Sequence, residues 1–322
     1  MKYLKIYLIA LLALTLFACG DRDEIFEREQ YKHVIALLSE GDFNIFAEEH
    51  DPSEADGEGF TNGYIAASCG GSLETTLPIT LNMVEDADLL GDYNNVNFAT
   101  EAYKYALYLP SDRYRIENPV ISMQPGERSG RMKIRIRAAG LSPDSVYFIP
   151  LRVDKCSAYE LNPEKSTVLY RVYVKNFWAS TKTIPVYSHR GIKLENGTES
   201  PVNTMMTKQM VPVSGNEVRI FAGNRIVTTV TPSVIEKWAM RLTIDDNGHV
   251  TITPWSDTYF GLKVTQVDGD PEYPNVVRLV DDGYGKTFKT FLLCYDYVDS
   301  DDGVSKFRMK EELKIENVVT VK

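Results

Sequence analysis

The chain has 322 residues, 43% of them hydrophobic, and its 45 acidic and 35 basic residues give a formal net charge of −10 at pH 7. An acidic body repels nucleic acid and anionic headgroups, so we expect no nucleic-acid partner. The length predicts two domains of ordinary size.

Residues 1–18 have the features of an export signal. Lys2 and Lys5 give a positive start, and the apolar run that follows is shorter than the roughly 20 residues that a bilayer-spanning helix needs. The run ends in LFAC at 16–19, which resembles the bacterial lipoprotein signal. The resemblance implies cleavage before Cys19 and lipidation of its thiol. The alternative is an ordinary secretory signal followed by a chance cysteine.

Residues 19–30 form a charged spacer after this cysteine. Its acidic residues Asp21, Asp23 and Glu24 resemble the surface-export signal of Bacteroidota lipoproteins, which implies an outer-membrane protein facing the cell exterior. Removal of residues 1–18 takes away two lysines, so the net charge falls from −10 to −12. The lipid would be the membrane contact of an otherwise soluble body.

Strand patterns dominate the next part of the chain, residues 31–176. Aromatic and β-branched residues are plentiful, turn signals recur at short intervals, and only residues 85–109 suggest short helical turns. The candidate strands are 33–38, 43–46, 63–68, 76–84, 119–123, 131–138, 146–154 and 167–175. Seven or eight strands over about 140 residues predict a β-sandwich.

A second β-rich region is predicted for residues 177–322. We expect an antiparallel β-barrel-like domain there, with a lipocalin-like barrel as one form of it, so that the whole chain is all-β. The run of strands breaks near Asn176, where we place the domain boundary. Trp178, just after it, is interpreted as an interdomain packing residue.

One hairpin of the second region can be registered from its sequence. Residues 238–244 and 250–254 both alternate between apolar and polar side chains. A three-residue loop at 246–248 pairs Ile244 with Val250 and places Gly248 where a left-handed residue is needed. This register puts Trp238 on the core face and Trp255 on the polar face, beside Ala239, Arg241 and Thr253.

Several segments of the chain resemble known Bacteroidota domains. In the first half they are Tyr93-Asn94, ISMQPGE at 121–127 and LSPDSVYFIPL at 141–151, which resemble an N-terminal immunoglobulin-like adhesion domain of largely unknown function. In the second half KQMVP at 208–212, VTI at 250–252 and FRMKEEL at 307–313 resemble the β-rich domain that often follows it. The resemblance covers most of residues 31–316.

The resemblance implies a surface role in glycan uptake. Such lipoproteins are typically encoded beside Sus-type importers, so the implied partners are a polysaccharide or oligosaccharide, the importer and other surface lipoproteins. The competing hypothesis is an adhesion or structural module that binds a protein and has no glycan ligand. Neither family has a catalytic set of residues that could be transferred to this chain.

Motifs for catalysis and metal binding are scarce. The four histidines are not at metal-ligand spacing, and no GxSxG, GxxxxGK[ST] or HExxH segment occurs. The acidic glycine turns, such as 299–303, lack the order of an EF-hand and are typical of hairpins. No CxxC spacing suggests zinc, and Cys69, Cys156 and Cys294 are interpreted as core residues. We therefore expect no enzyme activity, cofactor or metal.

Aromatic side chains are the candidates for glycan binding, because the flat face of a sugar stacks on an indole or phenol ring. Trp255 is the first candidate, with Arg241 as a hydrogen-bonding neighbour and Tyr259 further along the loop. Tyr273 and Tyr284 follow, since they lie in acidic or glycine-containing loops. For each ring the alternative is ordinary packing or an interdomain contact.

Two charged features have open interpretations. Arg131, Lys133, Arg135 and Arg137 alternate along one strand and form a cationic row, either a docking strip for an acidic glycan or a solvated sheet face beside acidic neighbours. Glu311 lies on the apolar side of its strand. A buried carboxylate needs a partner, so we expect an arginine or tyrosine beside it, with a ligand contact or a bulge as alternatives.

Overall fold

The computed structural model describes residues 29–195 and 200–318, and nearly all its regular structure is β. This confirms the predicted fold class. The expected signal at 1–18, Cys19 and the spacer up to residue 28 lie outside the described residues. Within the described ranges, no helix is both long and apolar enough to cross a membrane.

The strands between residues 34 and 174 form two facing sheets. They are β1 (Val34–Leu37), β2 (Ile45–His50), β3 (Thr61–Gly70), β4 (Ile79–Glu85), β5 (Leu107–Tyr108), β6 (Tyr114–Arg115), β7 (Val120–Met123), β8 (Ser129–Ile136), β9 (Tyr147–Cys156), β10 (Glu160–Leu161) and β11 (Thr167–Val174). One sheet has the order β10-β1-β3-β8-β6. The other has the order β2-β11-β9-β4-β7, with β5 added beside β9.

Alternating side chains explain this sandwich. In β8, Met132, Ile134 and Ile136 are buried, while Arg131 and Lys133, which alternate with them, are exposed. Because successive strand residues point to opposite faces, one face of each sheet fills a shared core and the other meets solvent. The helical turns expected within 85–109 are helix α1 (Asp88–Phe98) and the 3-10 helix Ala102–Lys104.

The strands from residue 186 onward form two further sheets, which curl into half-barrels. They are β12 (Val186–Glu195), β13 (Val202–Gln209), β14 (Val211–Pro212), β15 (Glu217–Phe221), β16 (Ala239–Ile244), β17 (Val250–Pro254), β18 (Val264–Gln266), β19 (Val276–Asp281), β20 (Thr287–Val298) and β21 (Lys306–Glu316). Their orders are β13-β12-β21-β20-β18, with β19 also on β20, and β14-β15-β16-β17.

Helix α2 (Pro232–Trp238) was not expected from the sequence, which suggested helical turns only within 85–109. Its start signal is present, however. The Thr231 side chain accepts a hydrogen bond from the Val234 N–H, and Pro232 occupies the first turn. The short helix ends in Trp238, whose indole is 3% exposed and belongs to the second core.

The hairpin of β16 and β17 has the predicted register. Ile244 pairs with Val250 and Leu242 pairs with Ile252. Gly248 has a φ of +82°, the left-handed conformation that a glycine adopts without strain. Asp245 stabilises the turn, since its Oδ1 accepts hydrogen bonds from the backbone N–H groups of Asn247 at 2.9 Å and His249 at 2.8 Å.

Separate clusters of buried side chains lie within the two groups of sheets. Asn176 links the chain across them, because its Nδ2 donates to the carbonyls of Ser214 at 2.7 Å and Glu217 at 2.9 Å. The Trp178 ring packs at 5.4 Å on Phe291 of the second core. Its role as an interdomain packing residue stays a prediction.

Glu311 is fully buried and has the expected tyrosine partner, together with two bases. Tyr295 donates to its Oε1 at 3.0 Å, Lys208 Nζ donates to Oε2 at 2.5 Å, and His189 Nε2 lies 3.0 Å from Oε2. Burial alone would raise the pKa of Glu311, but Lys208 and His189 outweigh it and lower the pKa. Glu311 is therefore a paired structural carboxylate.

Candidate functional site

An open groove crosses the outward face of the sheet formed by β12, β21, β20 and β18. Its cavity has a volume of about 460 Å³. The lining residues are Leu194, Glu195, Lys263, Thr265, Asp296, Tyr297, Val298, Lys306, Phe307 and Arg308. Polar, charged and apolar groups converge here on an open concave surface, and concave surfaces are where small molecules usually bind.

Strand register assembles the middle of the groove. Arg308 lies opposite Asp296 on one side and Leu194 on the other, and Asp296 lies opposite Thr265. The Arg308 guanidinium donates two hydrogen bonds to the Asp296 carboxylate, from Nε to Oδ1 at 2.7 Å and from Nη2 to Oδ2 at 2.9 Å. This planar pair is held in one orientation and presents its remaining donors and lone pairs to the groove.

Two lysines stand at one end of the groove. Lys306 lies opposite Val298, whose backbone N–H donates to the Lys263 carbonyl at 3.0 Å. Lys263 Nζ in turn donates to the Thr258 carbonyl at 3.1 Å. The groove is thus connected to the loop of residues 255–261.

This loop presents two exposed rings. Tyr259 is 87% exposed and Phe260 is 70% exposed, and their centroids lie 5.2 Å apart in an edge-to-face arrangement. The loop is held from below, since Thr258 Oγ1 donates to Glu236 Oε1 at 2.5 Å. A Cβ at Gly261 would stand 2.4 Å from the Ser256 carbonyl oxygen, so the tight return of the loop requires a glycine. The two rings are therefore open to solvent on a loop that contacts the groove through Lys263.

The structure brings the predicted residues Trp255 and Arg241 together. The Arg241 guanidinium lies 5.3 Å from the Trp255 ring centroid, and Arg219 lies at the same distance. Arg219 is 3% exposed and forms a bidentate ion pair with Asp144 of the first group of strands. The indole is half-buried beside this contact between the two halves of the chain, and it is less open than the alternating pattern suggested.

The other predicted rings are dispersed. Tyr284 is 93% exposed in the turn between β19 and β20. Tyr273 is half-buried, which raises the pKa of its phenol, and its backbone N–H donates to Asp270 Oδ1 at 3.0 Å. Tyr259 lies next to Thr258, whose carbonyl accepts the hydrogen bond from Lys263 of the groove.

Sequence reasoning missed the groove itself, in particular Lys263, Asp296, Lys306 and Arg308. A signal existed, because the acidic turn at 299–303 joins two alternating strands. Aligning the two strands about that turn, in the same way as β16 and β17, places Asp296 opposite Arg308. Thr265 joins the groove because β18 pairs with β20. No local sequence pattern indicates this pairing.

A second depression, of about 710 Å³, lies in the first half of the chain beside Leu38, Phe46 and Tyr173. Its rings are already engaged: Phe46 stacks on Tyr170 and the Arg171 guanidinium covers Tyr173 at 4.4 Å. The groove is the better candidate because its polar groups are held in fixed orientations and it is hydrogen-bonded to the loop that presents Tyr259 and Phe260. Within residues 29–195 and 200–318, His, Cys, Asp and Glu form no cluster suited to a metal ion.

Family models match both halves of the chain. One for an N-terminal domain matches residues 35–160, and one for a C-terminal domain matches residues 166–314. Among curated proteins, none matches the chain.

Similar solved structures are two-domain β proteins from Bacteroides. One Bacteroides ovatus protein of unknown function has a TM-score of 0.60 at 13% identity, with 90% of this chain and 98% of that chain covered. A multidomain Bacteroides ovatus protein that includes a domain of unknown function gives 0.57 at 13%, with 89% and 95% covered. An auxiliary nutrient binding protein from Bacteroides thetaiotaomicron gives 0.50 at 12%, with 84% and 90% covered. At these identities the likeness shows a shared fold.

Proposed function

We propose that this chain is a non-catalytic glycan-binding accessory of a Sus-type polysaccharide uptake system. The observation that carries the proposal is the groove of about 460 Å³, whose lining residue Lys263 is hydrogen-bonded to the loop that presents the exposed rings of Tyr259 and Phe260. The similar fold of a protein described as an auxiliary nutrient binding protein supports a binding role. The ligand would be a polysaccharide or oligosaccharide.

The chemistry of the groove suits a sugar. Hydroxyl groups would exchange hydrogen bonds with Asp296, Arg308 and Thr265, while a C–H face stacks on Tyr259 or Phe260. Burying about 80 Å² of apolar surface contributes roughly 2 kcal/mol, which corresponds to weak binding at a single site. Several tethered copies on one cell would raise the effective affinity for a polymer.

A glycan array with the soluble body of the protein, residues 29–322, tests this function. We expect the wild type to bind at least one glycan, and the double variant Tyr259→Ala/Phe260→Ala to lose at least tenfold in affinity. Tyr103→Ala is the matched control, since Tyr103 is 81% exposed in the other half of the chain. Silence of the wild type across the array would contradict glycan binding and favour a module that binds a protein.

The second part of the proposal is the location, a lipid anchor at Cys19 on the outer membrane with the body facing the cell exterior. It rests on the LFAC segment and the acidic residues that follow it. Cys19→Ala should abolish incorporation of labelled palmitate and release the protein from the outer-membrane fraction. Continued labelling and membrane association of the variant would show that another segment anchors the protein.

A further inference from the structure

The cationic row of β8, which consists of Arg131, Lys133, Arg135 and Arg137, is divided into two unlike parts. Arg135 and Arg137 are held by neighbouring groups. Arg135 Nη2 lies 2.5 Å from Asp56 Oδ2 and 3.1 Å from Glu58 Oε2. The hydrogen bond with Asp56 raises the pKa of Arg135, so the guanidinium stays protonated and its positive charge is balanced by carboxylates within the protein.

Phe60 completes this satisfied part. The guanidinium groups of Arg135 and Arg137 lie 5.0 Å and 4.4 Å from its ring centroid, and that of Arg115 lies at 4.6 Å. Phe60 is 2% exposed, so these arginines serve as a cover over a buried ring. This end of the row is a structural network.

The other end, at Arg131 and Lys133, lacks acidic partners. Neither side chain forms an ion pair with any residue of the described ranges, and both are exposed. In the register with β3, Arg131 lies opposite Ala66 and Lys133 lies opposite Tyr64, so no carboxylate faces them there. The Arg131 guanidinium lies 4.5 Å from the Tyr64 ring centroid, which holds it in an extended position.

A cavity of about 200 Å³ adjoins these two residues. Arg131, Lys133 and Arg135 form one wall, and Asn118 and Glu117 stand on the other. The cavity exists because β6 pairs with β8 only at residues 135 and 136, which leaves the edge of β8 beside Arg131 and Lys133 without a paired strand. An anionic group entering on the side of Arg131 and Lys133 would meet two positive charges without an acidic partner and the Asn118 amide, while Glu117, which lies 3.5 Å from Arg135, would keep it to that side.

We infer that Arg131 and Lys133 form a second binding site, for the carboxylate or sulfate groups of an acidic polysaccharide. This inference rests on the proposed glycan-binding function and concerns a different surface from the groove. The two charges are about 7 Å apart along the strand, so they can engage successive anionic groups of a linear polymer. On a chain with a net charge of −10, such a strip is where a polyanion can approach.

A linear glycan fits this surface better than a membrane does. Asp56, Glu58 and Glu117 border the strip and would repel a broad anionic surface, whereas a single narrow chain can avoid them. No large apolar side chain beside Arg131 and Lys133 is exposed for insertion among lipids, since Tyr64 is half-buried and Met132 is fully buried.

Affinity gel electrophoresis with residues 29–322 tests the inference. The probes are hyaluronan, which has only carboxylates, carrageenan, which has only sulfates, and neutral dextran. We expect retardation by at least one anionic polymer that weakens as salt is raised, and none by dextran. Arg131→Gln/Lys133→Gln should lower this affinity at least tenfold, and Lys155→Gln is the control for removal of an exposed charge of the same domain.

Each outcome decides the inference. Equal retardation of the wild type and the double variant, or retardation by neither anionic polymer, overturns it. The inference is also overturned if the wild type binds only vesicles that contain anionic phosphatidylglycerol and the double variant loses that binding. This result would indicate a membrane contact. If the wild type binds neutral glycans through Tyr259 and Phe260 but neither anionic polymer, the proposed function stands and this site does not. Thermal melting of the double variant confirms that it is folded.

Discussion

At the scale of single residues, buried polar groups determine how the protein responds to pH. His50 is 2% exposed, with Nδ1 at 2.8 Å from Thr61 Oγ1 and Nε2 at 2.9 Å from the Tyr170 hydroxyl. Tyr170 in turn donates to Glu48 Oε2 at 2.5 Å. Burial, helped by the charge of Lys175, lowers the pKa of His50 from 6.5 to about 4.

This pKa predicts a loss of stability in mild acid. Between pH 6.5 and about 4 the unfolded chain binds a proton at His50 that the folded chain does not, so the free energy of unfolding falls as the pH falls. We expect a loss of about 2 kcal/mol between pH 7 and pH 5. Urea titrations at several pH values measure the free energy of unfolding of the wild type and of His50→Gln. We expect this loss between pH 7 and pH 5 only in the wild type, and an equal loss in both proteins would contradict the assignment to His50.

At the scale of elements, the two tryptophans that flank the hairpin of β16 and β17 lie in different environments. Trp238, at the end of α2, lies in the core, whereas Trp255 follows β17 and lies half-buried between Arg219 and Arg241. The Trp255 backbone N–H donates to the Ala239 carbonyl at 3.1 Å, which continues the predicted register by one step.

The hairpin predicts unequal costs of substitution. Trp238→Ala should lower the free energy of unfolding by about 3–5 kcal/mol, because it opens a cavity in the second core. Trp255→Ala should cost about 1–2 kcal/mol, from partial burial and two cation–π contacts. Chemical denaturation of both variants measures the difference. Equal costs would mean that Trp255 is a core residue, and the glycan array shows whether its ring also binds a ligand.

At the scale of the whole molecule, two separate cores are joined by polar contacts. Arg219 and Asp144 form the central ion pair, and the Asn176 side chain binds two carbonyls across the same region. These contacts join the two bodies while their buried apolar clusters stay separate. We propose that residues 31–176 and 177–322 are independent domains.

Limited proteolysis tests the proposed boundary. We expect cleavage before residue 31 and, more slowly, near Asn176, giving two fragments that each melt cooperatively. Asp144→Asn should speed the cut near Asn176, because it weakens the pairing of buried Arg219. Mass spectrometry of the fragments locates the cuts. A first cut inside either predicted domain, in the wild type and the variant alike, would count against the division.

Much of the architecture could be predicted from the sequence, because local periodicity reports which face of a strand is buried. The alternation of β8 placed its arginines outside, and the turn at Gly248 determined the register of the hairpin. Glu311 stood out on the apolar side of its strand, which was enough to expect a buried partner. These are properties of neighbouring residues, so a single chain segment contains them.

Only the tertiary structure decided which distant residues meet. The groove is lined by residues of β12, β21, β20 and β18, which the sheet brings together from distant parts of the chain. The partners of Glu311 likewise come from three other strands. The split of the cationic row also needed the fold, since Asp56 and Glu58 reach Arg135 from nearly 80 positions away and leave Arg131 and Lys133 unpaired. The alternation of a strand determines which face of the sheet a side chain lies on. Its neighbours on other strands depend on how the strands pair and how the sheets curl.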